Sequence, residues 1–305
     1  MVESLYCSAT HLKLIVGSAD ANVVKVEDFA MFDLPEDAMI NGIITDQDAM
    51  AGYLSEIGSD VGLLKREATL VIDNNSMRFK VMDVPKASEP KTLEFVERDL
   101  GAFSGDEPSD IFDYAVLDPR LPGGGVRILA AAVDREVLRV YRDAFLSAGF
   151  SLKRIDIGVN AVIKLGSISP QLAEGARILA VVDGHSLILL LFEGGEYRIT
   201  NRYRLFSQDG TPGWEKEISD GLSSMIQSHK GQRPAEEISA AFFAGLPSQR
   251  ADSLAGALSP LGIETGVFDI GPHARATGKA AQKDPAFPAG DYIFNLGSLL
   301  KKRGR

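Results

Sequence analysis

Hydrophobic positions follow two different periods along this chain, and their alternation predicts a mixed α/β protein. Short apolar or alternating runs bounded by turn residues predict strands at 11–16, 23–26, 29–32, 68–72, 77–84, 112–117, 126–133, 151–157, 178–182, 187–192, 197–206 and 238–243. Amphipathic runs predict helices whose inner faces contain Leu54, Val96, Tyr141, Leu222 and Leu254. The first helix is expected to begin at a Thr45 cap, and the third at an Asp134 cap.

The same plan of elements occurs twice. The first half opens with a predicted hairpin that turns at Gly17-Ser18-Ala19-Asp20 and is followed by a helix. The second half opens with a predicted hairpin that turns at Asp183-Gly184-His185, again with a helix after it. A plan that recurs in this way predicts two mixed α/β lobes.

Composition and charge narrow the class of protein. The 305 residues include 32 Lys and Arg against 42 Asp and Glu, and the net charge of −10 argues against nucleic-acid binding. The one cysteine, Cys7, has no partner for a disulfide, which indicates a reducing compartment. The start of the chain lacks the features of a secretory signal, and no apolar run is long enough to span a bilayer.

Candidate catalytic and metal sites are not evident. The four histidines are dispersed and have no cysteine or carboxylate at the spacing of metal ligands. Ser186 follows His185 but has no nucleophile-elbow context, and Gly123-Gly124-Gly125 matches no phosphate-binding loop. We therefore predict no catalytic residue and no metal site.

Four segments together resemble a known family. They are Ile40-Asn41-Gly42-Ile43-Ile44-Thr45-Asp46, the strand pair that ends in Val84-Pro85, the strand 128–133 with its helix ending in Ala148-Gly149-Phe150, and Ile155-Asp156-Ile157 with Ala161. In this order and spacing the chain resembles the PilM family of type IV pilus assembly proteins, which share the actin-like fold of the division protein FtsA.

The resemblance implies an α/β, actin-like architecture with ribonuclease H-like duplicated lobes. It implies that residues 1–84 with 158–168 form subdomain 1A, that 85–157 form an inserted subdomain 1C, and that 175–305 form lobe 2. Only residues 207–237 separate two predicted strands where the family has a larger subdomain 2B, so 2B is expected to be reduced or absent.

The resemblance also implies an ATP site between the lobes, but the chain departs from its motifs. The corresponding residues are Gly17, Ser18, Lys25, Asp183, Gly184, Ala244 and Gly245. Ile15 stands where the family has the aspartate that holds Mg²⁺ through water. We therefore predict a vestigial site with no bound cofactor, at which ATP and magnesium bind weakly if at all. An ordinary hairpin turn remains the alternative for Gly17-Ser18 and for Asp183-Gly184.

For partners, the resemblance implies capture of the N-terminal cytoplasmic tail of a PilN-like inner-membrane protein where 1A meets 1C. Ile40, Ile43 and Ile44 are the candidate peptide-binding residues, with ordinary packing as the alternative. Other pilus platform or motor proteins are further expected partners, and the chain is expected in the cytoplasm, held at the inner membrane through a partner.

Three alternatives to this scaffold stay open. One is an active actin-like ATPase in which Asp20 or Asp183 supplies the carboxylate for magnesium. Another is a self-associating, FtsA-like filament protein. The third is a type II secretion protein related to GspL, whose fold plan the sequence separates only weakly from that of PilM.

Overall fold

The computed structural model of this chain describes residues 2–8, 10–35, 38–40, 42–60, 67–74, 76–101, 109–233 and 236–300. These residues form two compact units. The first is built from segments within 1–18 and 29–160, and the second from 19–28 and 161–300. The predicted Asn41 of the first family segment lies outside the described residues.

Sixteen strands occur in the described residues. They are β1 (Val2–Cys7), β2 (His11–Asp20), β3 (Val23–Asp33), β4 (Met39–Ile40), β5 (Ile43–Ile44), β6 (Glu67–Ile72), β7 (Arg78–Pro85), β8 (Asp110–Asp118), β9 (Gly125–Asp134), β10 (Ser151–Ile157), β11 (Ala176–Asp183), β12 (Ser186–Glu193), β13 (Glu196–Arg204), β14 (Ile238–Ala244), β15 (Glu264–Val267) and β16 (Ala274–Ala276).

The α-helices of the described residues are α1 (Gln47–Asp60), α2 (Glu89–Leu100), α3 (Arg135–Ser147), α4 (Gly158–Gly166), α5 (Pro212–Gln232), α6 (Ser248–Leu258), α7 (Gly278–Lys283) and α8 (Ile293–Leu299). Short 3₁₀ turns lie at Pro170–Leu172, Ser259–Leu261, Gly271–His273 and Ala289–Tyr292. Among the helices described, none is long and apolar enough to cross a membrane.

The main sheet of the first unit has the strand order β10-β6-β1-β2-β3. β1 pairs antiparallel with β2 and parallel with β6, which in turn pairs parallel with β10. The central strands are buried on both faces, from Leu5 to Cys7 and from Ala68 to Ile72, as expected for strands with neighbours on each side and helices on their faces. The tip of the β2–β3 hairpin, residues 19–28, belongs to the second unit, where β16 pairs parallel with β3 at Val24–Val26.

Helices α1 and α3 pack together in the core of the first unit. Met50 and Leu54 of α1 and Tyr141 and Phe145 of α3 are fully buried in one cluster. Asp134 caps α3 as predicted, because its side chain accepts hydrogen bonds from the backbone N–H groups of Glu136 and Val137. For α1 the cap is Asp46 rather than the predicted Thr45, since Asp46 Oδ1 accepts from the N–H of Ala49 at 2.9 Å.

A second, three-stranded sheet in the first unit has the order β7-β9-β8, and both pairings are antiparallel. One face packs against α2, where Val96 and Leu100 meet Ile128, Ala130 and Ala132 in a small separate core. The sheet therefore begins at Arg78 and ends at Asp134, whereas the predicted insert ran from 85 to 157. β10 belongs to the main sheet, and α3 packs against α1.

The sheet of the second unit has the order β13-β12-β11-β14-β15. β11 pairs antiparallel with β12 and parallel with β14, so β11 occupies the same topological position as β1 in the first unit. Helix α5 covers one face through Trp214, Ile218 and Leu222. The predicted duplication is confirmed at the level of strand order, with the hairpin β11–β12 corresponding to β1–β2.

The opening hairpin differs from its prediction. β2 continues through Gly17 and Ser18 to Asp20, so the turn predicted at 17–20 is wrong. The chain reverses at Ala21 and Asn22, and Ala21 has a φ of +51°. Gly17 pairs with Val2 of β1, a strand that the sequence pattern did not reveal. The strands predicted at 68–72 and 77–84 do form, but they pair in different sheets.

Candidate functional site

A cleft of about 360 Å³ lies within the first unit, over the face of the three-stranded sheet that α2 leaves uncovered. Its floor consists of three cross-strand pairs of β8 and β9, namely Ile111 with Val133, Asp113 with Ala131, and Ala115 with Leu129. Because directly opposite residues of an antiparallel pair point to the same face, these six side chains form one surface. That surface is apolar except for the carboxylate of Asp113.

The last residues of β10 form the facing wall of this cleft, with Ile155 and Ile157 adding apolar area. Asp156 is buried, and its Oδ1 accepts hydrogen bonds from Nδ2 of Asn160 at 2.7 Å and from the N–H of Ile157 at 3.0 Å. Gly158 follows immediately, and a Cβ there would lie 2.7 Å from Oδ1 of Asp73. These contacts fix the end of β10, so the cleft has a well-defined wall.

Strand edges give the cleft a second kind of binding group. Within the described residues, β8 pairs only with β9 and β10 only with β6, so each is the outer strand of its sheet. An outer strand has backbone N–H and C=O groups on one edge that no neighbouring strand uses. A narrow apolar cleft beside such edges matches the chemistry of an extended peptide, which binds through backbone hydrogen bonds and alternate side chains.

The residues predicted for peptide capture lie elsewhere in the same unit. Ile40 and Ile43 belong to the short β4–β5 hairpin, with 54% and 36% of their surface exposed, and Ile44 is buried in the core. The hydroxyl of Tyr141 donates a 2.7 Å hydrogen bond to the carbonyl of Gly42, which ties this hairpin to α3. None of the three isoleucines is among the residues that line the cleft.

Strand order shows which turn of the first unit corresponds to Asp183-Gly184. It is the β1–β2 connection around Ser8, not the segment of Gly17 and Ser18, which lies inside a paired strand. At this connection the hydroxyl oxygen of Ser8 accepts hydrogen bonds from the N–H groups of Thr10, at 3.3 Å, and His11, at 2.9 Å. A phosphate-binding turn directs its amides at the ligand, so a turn whose amides bond its own serine does not fit a phosphate group.

The remaining predicted nucleotide residues lie in the second unit. Lys25 is exposed, with its Nζ 3.8 Å from Oδ2 of Asp20. Asp183 and Gly184 form the β11–β12 turn, as predicted. Gly245 follows Ala244 at the end of β14 with a φ of +79°, and a Cβ there would lie 2.0 Å from the carbonyl oxygen of Val182. Packing against β11 is therefore sufficient to require this glycine.

A wider cavity of about 720 Å³ lies next to Gly245 within the second unit. Phe243, Phe268 and Phe287 give it apolar walls, and Asp269 and Asp291 add two carboxylates. Lysine, arginine and histidine are all absent from its described lining. Cationic side chains are a common means of binding a triphosphate, and the described lining of this cavity supplies none.

Other reactive groups are held in structural positions. Complete burial raises the pKa of the Cys7 thiol to about 12, so this cysteine is not a nucleophile near neutral pH. Burial also raises the pKa of Tyr141 well above its usual value. Across the described ranges, no group of three or more His, Cys, Asp or Glu side chains is arranged to hold a metal ion.

Sequence reasoning missed the residues of the cleft floor. The alternation of apolar and polar positions correctly placed β8 and β9, but it did not show which face α2 would cover. Alternate residues of β9 point to opposite faces of the sheet, and this alternation distinguishes the two faces. Ile128, Ala130 and Ala132 pack on the α2 side, whereas Leu129, Ala131 and Val133 line the cleft. This alternation identifies the cleft face only once it is known that α2 packs on the other face of the sheet.

Duplicated sheets of identical strand order, with a three-stranded insert in the first, define the actin-like fold. Comparison with known proteins supports the same class: no family model matches the sequence and no curated protein is similar to it in sequence, but solved structures are similar in fold. One is a chain of the PilM-PilN type IV pilus biogenesis complex, with a TM-score of 0.76, 16% identity, and coverage of 98% of this chain and 97% of that chain. The predicted resemblance to PilM is thereby confirmed for the fold.

Two further structures are similar over most of their length. A Bacteroides thetaiotaomicron protein with an actin-like ATPase fold and unknown function has a TM-score of 0.57 and 11% identity, covering 88% of this chain and 92% of that chain. The cytoplasmic domain of EpsL, an inner-membrane component of the Vibrio cholerae type II secretion system, has a TM-score of 0.51 and 13% identity, covering 99% and 96%. At these identities the likeness concerns the fold.

Proposed function

We propose that this protein is a scaffold of a type IV pilus or type II secretion-like assembly, which binds the cytoplasmic N-terminal peptide of a PilN-like inner-membrane partner. The observation that carries the proposal is the cleft over β8 and β9, which combines an apolar floor with outer strand edges. The similarity in fold to a chain of the PilM-PilN complex supports the choice of partner. Binding would link the partner to other platform or motor proteins in the cytoplasm beneath the membrane.

We further propose that the protein acts by binding rather than by ATP hydrolysis. Ser8 occupies the amides of the β1–β2 turn, and neither Cys7 nor Ser8 at the end of β1 can supply a carboxylate for magnesium. The described lining of the cavity beside Gly245 supplies no cationic side chain to a triphosphate. No catalytic step is assigned to any residue.

The direct experiment is isothermal titration of the full chain with a synthetic peptide of the N-terminal segment of the PilN-like protein from the same genome. Ala131→Trp fills the floor of the cleft without adding charge, so we expect it to weaken binding at least about tenfold. Ala115→Trp is a second variant on the same floor. Ala257→Trp on α6, in the second unit, is the matched control and should bind like wild type.

The variant Ile43→Asp tests whether the peptide binds in the cleft or at the β4–β5 hairpin. If the peptide binds in the cleft, this change of an exposed side chain leaves the affinity close to that of wild type. Loss of binding with Ile43→Asp, together with unchanged binding by both cleft variants, would move the peptide site to the hairpin. Absence of binding by the wild-type chain would contradict the scaffold proposal itself.

A further inference from the structure

The cleft floor contains one feature that a purely apolar peptide would not satisfy. Asp113 lies at the centre of the floor, opposite Ala131, with Ile111 and Ala115 on the same face of β8. Within the described residues, its carboxylate accepts a hydrogen bond from the N–H of Tyr114 at 2.8 Å, and it forms no ion pair with a lysine or arginine. Its side chain is exposed, so water solvates the charge while the cleft is open.

The other charged groups of the cleft differ from Asp113 in this respect. Asp156 is buried and bonded to Asn160 and to the N–H of Ile157. Arg154 and Asp156, both on β10, also make further contacts within the protein. Of the three charged side chains in the described lining of the cleft, Asp113 is therefore the one available to an incoming ligand.

Covering the floor changes the environment of Asp113. A peptide that packs on Ile111, Ala115 and Ala131, which are exposed or half-buried, removes water from the carboxylate between them. Burial of an ionised carboxylate without a partner is costly, whereas burial beside a cation that bonds to it is tolerated. An occupant that brings a positive charge to this point offsets the cost best, because a cation both bonds to the carboxylate and neutralises it.

Resting on the proposed peptide-binding function, we propose that the cleft selects an extended peptide with a lysine or arginine between apolar residues, and that Asp113 is the residue that reads this cation. Apolar side chains of the peptide cover Ile111 and Ala115, which lie on either side of Asp113 on the same face of β8. The backbone lies along the outer edge of β8, which has no neighbouring strand among the described residues. Specificity then comes from one charge pair within an apolar contact.

Selection from a displayed library of random decapeptides, with the purified full chain as target, tests this proposal. Peptides whose capture is lost with Ala131→Trp report on the cleft. Among these, we expect enrichment of sequences with Lys or Arg flanked by apolar residues. Asp113→Asn should remove the preference for a cation, and Asp113→Lys should replace it with a preference for Asp or Glu.

Titration then measures the interaction between Asp113 and the peptide's cation. It compares one selected peptide with its Lys→norleucine and Lys→Glu versions. For wild type we expect the norleucine peptide to bind about tenfold more weakly, with little difference for Asp113→Asn. Asp118→Asn, on the same strand but outside the cleft lining, changes the net charge equally and should behave like wild type. This control separates the local pair from the general attraction of a chain with a net charge of −10.

The outcomes distinguish the two proposals. Cleft-dependent peptides without a cation preference, or with a preference that Asp113→Lys does not reverse, would overturn the role of Asp113 and leave peptide binding intact. Failure to select any peptide that depends on Ala131 would overturn both.

Discussion

At two turns, Gly245 and Ser8 are each held by contacts within the protein itself. Gly245 stands at a position that the resemblance assigned to nucleotide binding, yet a Cβ there would meet the carbonyl oxygen of Val182 at 2.0 Å. At Ser8, the side-chain hydroxyl accepts hydrogen bonds from the N–H groups of Thr10 and His11. A phosphate bound at this turn would need those same amides. The contacts of a residue therefore show whether it is required for packing or is available to bind a ligand.

We predict that Gly245→Ala destabilises the protein by about 3 kcal/mol, because a left-handed φ and a backbone clash act together. Chemical denaturation monitored by circular dichroism measures the change in the free energy of unfolding. Gly256→Ala is the matched control, since Gly256 is in helix α6 with no atom within 4 Å of its would-be Cβ, and it should be neutral or stabilising by up to about 1 kcal/mol. If Gly245→Ala also left the free energy of unfolding unchanged or raised it, the packing account would be contradicted.

Elements were easier to predict than their partners. Alternating residues located β8, β9 and β10, and apolar or alternating runs bounded by turn residues located β11 to β14, because both patterns are local; β16 was not predicted. Pairing depends on residues far apart in the chain, so the separation of β6 and β7 into different sheets left no local signal. β1 was missed because Glu3 and Ser4 interrupt its apolar pattern, although both are buried.

The candidate cleft could not be predicted from the sequence either, because the sequence does not show which face of the three-stranded sheet α2 covers. Its strands were predictable, but its floor is defined by the absence of α2 from one side of a sheet. Of the peptide residues chosen from the sequence, Ile40 and Ile43 are exposed and Ile44 is buried, and all three lie on a different hairpin. Exposed apolar residues can be suggested from a pattern, whereas a cleft requires the packing of several elements.

The N-cap of α3 gives a prediction for an element as a whole. Asp134→Ala removes the acceptor for two N–H groups of the first turn, so we expect a loss of about 1 kcal/mol in the free energy of unfolding. Urea denaturation measures it, and Asp134→Ser, which keeps an acceptor, should retain most of the stability. Equal losses in the two variants would show that the cap does not contribute through these hydrogen bonds.

At the scale of the whole molecule, the duplicated sheets and the inserted three-stranded sheet define the fold, and the two units differ in what they offer a ligand. The first has a narrow apolar cleft with a single available carboxylate, and the second has a wider cavity with acidic groups. The likeness to solved actin-like structures extends over nearly the full chain.

We predict that millimolar MgATP leaves the thermal unfolding temperature unchanged and that the protein releases no phosphate from ATP. A ligand at one hundred times its dissociation constant adds about 2.7 kcal/mol of stability, which a melting curve detects. The peptide that binds the cleft serves as the positive control for such a shift. A rise in melting temperature with MgATP, or measurable phosphate release, would favour the active ATPase.

The path of the β2–β3 hairpin limits how this molecule can be divided. Residues 19–28 leave the first unit and supply β16 with its neighbouring strand in the second. A fragment that starts at residue 161 would therefore lack the strand on which Ala274–Ala276 is built. Transfer of the second unit to another protein would therefore require this short internal piece as well as the carboxyl-terminal half, so one cut in the chain does not separate the two units.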